Sequence, residues 1–231
     1  MTKRRGRKPV RNFDDVEIKY FAVGLPEKME YGKGKEMETA IRKKEVQEVF
    51  LSKEGFKGDG VADTKNHGGP DRAVCIYPYE HYAFWNDYFS KALPPAAFGE
   101  NLTVTNMLEE QVYIGDIFRI GEAVVQVTQG RVPCNTIDRR LDMTPLLKGM
   151  VKTGFSGYLC RVLEEGTIRS DSKISLVKEH PEQVSVLFAN HLYFHQPKNK
   201  EGLEKVLRVE ELAEKWRKAL TERLMKLSAN N

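Results

Sequence analysis

Short apolar runs separated by glycine-rich segments dominate the first three quarters of the chain. The clearest pair, residues 117–120 and 123–127, flanks Gly121 and Glu122, and a two-residue connection with glycine first predicts a β-hairpin. Many short strands joined by glycine-rich turns favour a mainly β fold, a barrel or a sandwich, over alternating strands and helices. The other predicted strands are residues 16–25, 46–51, 73–77, 98–104, 158–163 and 173–177.

Helical patterns are fewer in this part of the chain and dominate its end. Aromatic spacing predicts a helix over residues 79–89, and residues 141–151 are compatible with another. After Pro181, residues 184–194 and 201–206 have helical patterns, and a longer helix follows with one apolar stripe. That stripe consists of Val209, Leu212, Ala213, Trp216, Leu220, Leu224 and Leu227.

The predicted organisation has three parts, with two loops inside the β-rich part. A basic disordered arm covers residues 1–12, a β domain residues 13–178, and a small helical extension residues 179–231. The predicted loops are residues 27–38 and 55–70, both rich in glycine.

Charge and composition exclude several classes of protein. The 231 residues include 37 Lys and Arg against 33 Asp and Glu, so we expect no general nucleic-acid-binding surface. No apolar segment is long enough for a secretory signal or a membrane span, and three scattered cysteines favour a reducing cytoplasm over a disulfide framework. The basic start is either a solvated tail or an arm that touches phosphates. It consists of Lys3, Arg4, Arg5, Arg7, Lys8 and Arg11.

The glycine-rich segment before the 73–77 strand carries polar residues of interest. His67, Asp71 and Arg72 surround Gly68-Gly69-Pro70. Glycine lets backbone N–H groups approach an anion, and an arginine fork suits phosphate oxygens. The alternative is a structural turn whose polar residues satisfy one another, and the pattern alone leaves both open.

Other polar residues give weaker signals. Asn101, which follows Gly99 and Glu100, has hydrogen-bond donors and an acceptor that suit the edge of a heterocycle. The alternative is that it simply belongs to the start of an ordinary strand. His81 lacks a second histidine at metal-ligand spacing, which favours a packing role. His191 and His195 are four residues apart without a third ligand, a weak metal signal.

Cys134 differs from the other two cysteines. It follows Pro133 at the end of a predicted strand, with Arg131, Arg139 and Arg140 near it in sequence. A partly exposed cysteine near positive charge favours the thiolate, which binds metals and attacks electrophiles. Cys75 and Cys160 lie within apolar strands and are interpreted as buried fillers. A lone cysteine is a weak motif, so a filler role for Cys134 stays open as well.

An ordered set of motifs between residues 16 and 177 resembles the MOSC domain family, named after the C-terminal domain of molybdenum cofactor sulfurase. The helical end resembles the three-helix extension of its bacterial hydroxylaminopurine-resistance branch. Gly130 stands where that branch usually has proline, and Thr136 where lysine is common. The motifs are Gly58-Asp59-Gly60 with Asp63, His67–Val74, Tyr77-Pro78 with Glu80-His81-Tyr82, Phe98–Leu102, Ile114–Asp116, Arg119–Gly121, Gln129–Cys134 and Gly157–Leu163.

The resemblance implies a MOSC β-barrel with peripheral helices that binds the molybdenum cofactor. It implies Cys134 as molybdenum ligand and catalytic residue, in an oxidoreductase that reduces N-hydroxylated compounds with electrons from a separate partner protein. A cytoplasmic enzyme without membrane or nucleic-acid partners, possible as a homodimer, is expected. The expected cofactor-binding residues are Lys65, His67, Gly68, Arg72, Asn101, Arg131 and Arg161.

Two alternatives remain open. In the first, Cys134 carries sulfur or hands over the cofactor without turning over a small substrate. In the second, the chain is a binding module that holds a partner or nucleic acid through its basic start and helical end; strongly salt-dependent binding would indicate it.

Overall fold

The computed structural model describes residues 11–65 and 67–229. The strands are β1 (Ile18–Val23), β2 (Glu27–Tyr31), β3 (Lys35–Thr39), β4 (Lys44–Glu45), β5 (Glu48–Ser52), β6 (Gly55–Phe56), β7 (Val74–Pro78), β8 (Leu102–Val104), β9 (Ile117–Ile120), β10 (Ala123–Gly130), β11 (Tyr158–Glu164), β12 (Gly166–Arg169) and β13 (Ile174–Lys178). The helices are α1 (Glu80–Phe89), α2 (Thr136–Leu141), α3 (Leu146–Thr153), α4 (Val186–His195), α5 (Lys200–Leu207) and α6 (Glu214–Ala229).

One mixed sheet dominates the fold, with helices packed on it and a helical C-terminal part. Eight strands pair in the order β13-β9-β10-β11-β7-β8-β1-β4. Only β7 and β8 run parallel in this sheet, and smaller sheets join β12-β5-β6 and β2-β3. Among the described residues no pairing joins the edge strands β13 and β4, so closure into a barrel stays a prediction.

Strand β10 is buried along its whole length because both of its faces are covered. All eight of its residues are buried. Val125 and Val127 belong to the main core, while the backbone N–H of Ala213, just before α6, donates to the carbonyl of Thr128 at 3.0 Å. A strand covered on both faces has no reason to alternate apolar and polar residues.

The helical extension shares its core with the sheet. Leu203, Val206 and Trp216 pack in the same buried cluster as Phe118 and Val125. Among the described residues, the β-rich part and the helical extension therefore share one hydrophobic core, and the division of the chain at residue 178 stays a prediction. Among residues 11–65 and 67–229, no helix has both the length and the apolar character needed to cross a membrane.

Residues 27–38, predicted to be a loop, form most of the hairpin β2–β3 instead. Met29 pairs with Met37 across it, and Met29 is buried. Gly32 and Gly34 adopt positive φ at the turn. The charged residues between the methionines face solvent, which is typical of a strand with one wet face.

The helix predicted over residues 141–151 begins later, as α3 (Leu146–Thr153), because Leu141 is the last residue of α2 and residues 142–145 are not helical. Asp142 ends α2 in the left-handed region, and Pro145 precedes α3. The stripe predicted from Val209 likewise becomes helical in α6 only from Glu214 onwards.

Most of the predicted basic arm lies outside the described residues, but Arg11 lies within them. Its guanidinium, 7% exposed, pairs with buried Asp116 and reaches Glu179 at 3.3 Å. It also lies over the ring of Tyr113, 3.8 Å from the centroid. Arg11 thus packs on the folded body, whereas the predicted disorder of residues 1–10 remains untested.

Candidate functional site

The Cys134 segment connects the end of β10 to the start of α2. Gly130 is the last residue of the strand, and the N–H of Arg131 donates to the carbonyl of Gly157 at 3.0 Å. Pro133 is buried and Cys134 is partly exposed. The Cys134 carbonyl accepts from the N–H of Ile137 at 3.1 Å, so the thiol lies at the mouth of a strand-to-helix turn rather than in the core.

The Cys134 thiol is acidic. Burial disfavours the thiolate, but hydrogen bonds from His67 and Thr136 and the positive charge of Arg131 outweigh it and lower the pKa to about 6. Each of these groups stabilises the charged form. The thiolate is thus the main form at neutral pH, which makes this sulfur competent as a nucleophile or metal ligand.

Arg131 crosses from the Cys134 segment to the start of the 98–104 region. Its Nη2 donates to the carbonyl of Phe98 at 2.6 Å. Its Nη1 is buried without a hydrogen-bond partner among the described residues. Burial works against the charge, but the neighbouring thiols of Cys75 and Cys134 raise the pKa of Arg131. A buried cationic N–H without an acceptor is suited to an anionic ligand.

The glycine-rich loop brings His67 to Cys134. Gly68 and Gly69 have φ angles of 70° and 90°, which residues with a Cβ atom rarely adopt. The backbone N–H of Arg72 donates to the carbonyl of Gly69 at 2.8 Å, and burial lowers the pKa of Arg72. Lys65 is exposed. The structure therefore joins His67 to Cys134, while cofactor contacts of Lys65, Gly68 and Arg72 stay predictions.

Asn101 and Arg161, two further predicted cofactor-binding residues, also contact other protein groups. The Asn101 Oδ1 accepts from the N–H of Cys75 at 3.0 Å, and its Nδ2 donates to Asp59 Oδ2 at 2.9 Å. Arg161 pairs with Asp71 at 2.7 Å. These contacts lie within the protein, while Arg161 Nε is buried without a hydrogen-bond partner among the described residues, and a role of either residue toward a cofactor is still a prediction.

The remaining cysteines and histidines differ from Cys134. Cys160 is fully buried and burial strongly raises its pKa. His81 is buried against Glu109, with Nε2 and Oε2 at 2.6 Å. His191 and His195 bind the carbonyls of Thr153 and Val151 at 3.0 and 2.8 Å, as side chains at the C-terminus of a helix do. No group of three possible metal-ligating side chains occurs within the described part of the chain.

Thr136 and Cys75 are site residues that the sequence interpretation did not identify as such. Thr136 donates to the Cys134 thiolate with both its side chain and its backbone N–H. A hydroxyl residue two positions after a candidate thiolate, at a helix start, was the available signal. Cys75 is partly exposed, and its nearness to Arg131 is visible only in the folded chain.

Two cavities lie elsewhere on the surface. One of about 310 Å³ is lined by Lys28, Glu36, Met37 and Glu38 on the hairpin β2–β3. Another of about 100 Å³ lies beside His81, Glu109 and Phe155. Cys134 lines neither of them.

The sequence model of the MOSC domain matches residues 63–175, and that of the YiiM-like 3-alpha helix domain matches residues 184–227. An uncharacterized protein, YflK of Bacillus subtilis, is 45% identical over 84% of this chain and 88% of its own length. The chain belongs to the MOSC domain family. The MOSC match includes Cys134, and the second match covers the helical extension.

Two further relatives extend the comparison. The crystal structure of YiiM from Geobacillus stearothermophilus superposes with a TM-score of 0.77 at 30% identity, covering 90% of this chain and 99% of that one. A protein of Gibberella moniliformis named reductase is 38% identical over 67% of this chain, which corresponds to 28% of its own length. This MOSC chain thus matches one complete solved structure and one segment of a larger protein.

Proposed function

We propose that this MOSC protein is a molybdenum-cofactor-dependent oxidoreductase that reduces N-hydroxylated compounds, with the Cys134 thiolate as metal ligand. One observation carries the proposal. A partly exposed cysteine, whose pKa is lowered to about 6, lies beside Arg131, and Arg131 keeps a buried N–H without a partner among the described residues.

The residues present suit the cofactor. Thiolate sulfur is a soft ligand appropriate for a metal that is already bound by sulfur. The orphaned Nη1 of Arg131 fits a phosphate or another anionic group of a pterin. Arg72, beside the positive-φ glycines of its loop, is a second cation for the same group. A closed barrel, as predicted for the fold, would hold these residues on a rigid wall.

The reaction consumes two electrons and two protons, converting R–NHOH to R–NH₂ and water. When bound, the cofactor would supply the two-electron redox chemistry of this conversion. The chain's own residues would hold the sulfur ligand charged and the cofactor oriented. His67 and Thr136 keep the proton off Cys134 through their hydrogen bonds, and Arg131 orients the anionic group.

Two comparisons support the oxidoreductase class. The MOSC domain family is associated with molybdenum cofactor, and one relative bears the name reductase. The electron donor would be a separate protein in the cytoplasm, and a homodimer is compatible with the proposal. We propose neither a nucleic-acid partner nor a membrane partner.

The test begins with protein purified from a host that makes the cofactor. Molybdenum and pterin content are measured for wild type, Cys134→Ser and the control Cys160→Ala, followed by hydroxylamine reduction with an artificial electron donor. We expect metal and activity in wild type and control, and loss of both in Cys134→Ser. Equal molybdenum in Cys134→Ser would remove the ligand role.

A sulfur carrier or cofactor carrier is the second candidate, because the same acidic thiol is also suited to bearing a persulfide. Mass spectrometry of freshly purified protein distinguishes the two. A persulfide on Cys134 without reductase activity favours the carrier, whereas turnover of hydroxylamine without a persulfide favours the enzyme.

A further inference from the structure

Helix α6 begins without an N-cap from its own neighbours. The other two helices of the extension have one: Ser185 Oγ accepts from the N–H of Phe188 at 3.2 Å, and Asn199 Oδ1 from the N–H of Gly202 at 2.9 Å. Ala213 stands directly before α6, and its methyl group has no acceptor. The first N–H groups of a helix need acceptors, so this helix depends on one from elsewhere.

Asp71 supplies that acceptor from 143 positions earlier in the chain. Its Oδ2 accepts from the N–H of Glu214 at 2.9 Å. Its Oδ1 pairs with Arg161 Nη2 at 2.7 Å, and its main-chain carbonyl accepts from Thr128 Oγ1 at 2.6 Å. A carboxylate at a helix N-terminus is also favoured by the helix dipole. Asp71 thus joins the end of the glycine-rich loop to α6, β10 and β11.

A second contact ties the other end of the loop to the same helix. Lys215 Nζ donates to the carbonyl of Lys65 at 3.1 Å. Arg161, besides its pair with Asp71, donates to the carbonyl of Glu211 at 3.0 Å. Residues 65 and 71 are therefore both bound to residues 211–215, and His67 lies between them.

We propose that the N-terminal end of α6 anchors the glycine-rich loop, with Asp71 and Arg161 as positioning residues that hold His67 beside Cys134. The loop needs such an anchor because His67 is exposed and the adjacent Gly68 and Gly69 restrict the backbone least of all residues. This assigns Arg161 to the support of the loop. The inference holds for any ligand of Cys134 and does not rest on the molybdenum assignment.

The decisive experiment separates capping of the helix from anchoring of the loop. Asp71→Ala removes both functions of Asp71, and the double variant Asp71→Ala/Ala213→Ser gives α6 a local cap while the loop still lacks its Asp71 anchor. Ala213 is 1% exposed, and serine adds only one oxygen there. Hydrogen exchange of peptides covering residues 63–70 and the thermal midpoint are measured for each variant without any cofactor.

Asp71→Ala should lower the midpoint by about 2–4 °C through loss of the cap, and should accelerate exchange in the loop on the order of tenfold. In the double variant we expect the midpoint to recover and the loop exchange to stay fast. Asp171→Ala, which removes an exposed carboxylate paired with Arg169, is the matched control and should change neither quantity.

Two results would overturn the anchor. One is unchanged loop exchange in Asp71→Ala; the other is recovery of slow exchange in the double variant, since the loop would then only follow global stability. If Asp71→Ala fails to fold, Asp71→Asn retains a capping oxygen and weakens only the pair with Arg161, with an expected acceleration of about threefold. A wild type that purifies without molybdenum would remove the proposed function and leave this exchange test intact.

Discussion

Two segments that are held in different ways meet at the thiolate of Cys134: the turn that contains it and the glycine-rich loop that carries His67. Residues 130–136 continue a fully buried strand at one end and a helix at the other, and the backbone N–H of Arg131 donates to the carbonyl of Gly157. The glycine-rich loop instead depends on α6, whose residues lie about 145 positions further along the chain. The turn is thus held between two regular elements, whereas the loop is held by side-chain contacts with a remote helix, so the two should respond differently to substitution.

The largest effect is expected from pH, through the turn. The folded pKa of Cys134 is about 6, below the ordinary thiol value of about 8.5. Ionisation of this thiol in the folded state therefore stabilises the protein fully above about pH 8.5, progressively less as pH falls, and not at all below about pH 6. The total contribution to the free energy of unfolding is up to roughly 3 kcal/mol. Urea unfolding from pH 5.5 to 9 measures it. Cys134→Ser should lack this pH dependence, and parallel curves would contradict the assignment.

The next effect is expected at the start of the turn, from Gly130→Ala. A Cβ there would lie 1.7 Å from Asn190 Oδ1, and Asn190 is buried in α4. Such overpacking typically costs about 1–3 kcal/mol. In urea denaturation, the double variant Gly130→Ala/Asn190→Ala should be destabilised by less than the sum of the two single variants. Gly60→Ala, whose Cβ would meet Pro26 at 3.3 Å, is a milder control.

A smaller effect measures how much the loop contributes to the acidity of Cys134. His67→Ala removes a hydrogen bond to the thiolate and should raise the Cys134 pKa by roughly one unit. The rate of iodoacetamide alkylation against pH reports the midpoint. His195→Ala, an exposed histidine bound to the Val151 carbonyl, should leave the profile unchanged. An unshifted profile in His67→Ala would mean that the turn alone sets the acidity.

The smallest effect is expected from Lys215→Ala. Its contact with the Lys65 carbonyl is exposed, so its loss should cost less than about 0.5 kcal/mol and accelerate loop exchange by at most about twofold. Lys218→Ala on the same helix is the control. An effect larger than that of Asp71→Ala would mean that Lys215, not Asp71, is the principal anchor.

Local signals predicted the parts of the structure that depend on neighbours in sequence. The hairpin of β9 and β10 follows from a glycine-first turn between apolar runs, and registers Ala123 opposite Ile120. The acidic Cys134 was likewise suggested by a strand end followed by proline and nearby arginines. The hairpin β2–β3 was missed because its exposed face is charged and only Met29 and Met37 mark the inner face.

The rest of the site depends on partners that no local pattern specifies. Asn101 and Arg161 have the chemistry of ligand-binding residues, yet their contacts are with Asp59 and Asp71. Nothing around Asp71 indicates a helix start 143 residues away. A side chain whose donors and acceptors suit a ligand equally suits another part of the protein, and no local pattern in the sequence distinguishes the two.

Burial along the whole of β10 has a consequence for how such proteins diversify. Each of its eight residues lies under sheet or helix, and the apolar cluster runs without a break from Phe118 to Trp216. A relative that dispensed with the three terminal helices would expose one flank of its central strand to water. Its strand would need polar residues at the newly exposed positions, or another polypeptide would have to pack over them.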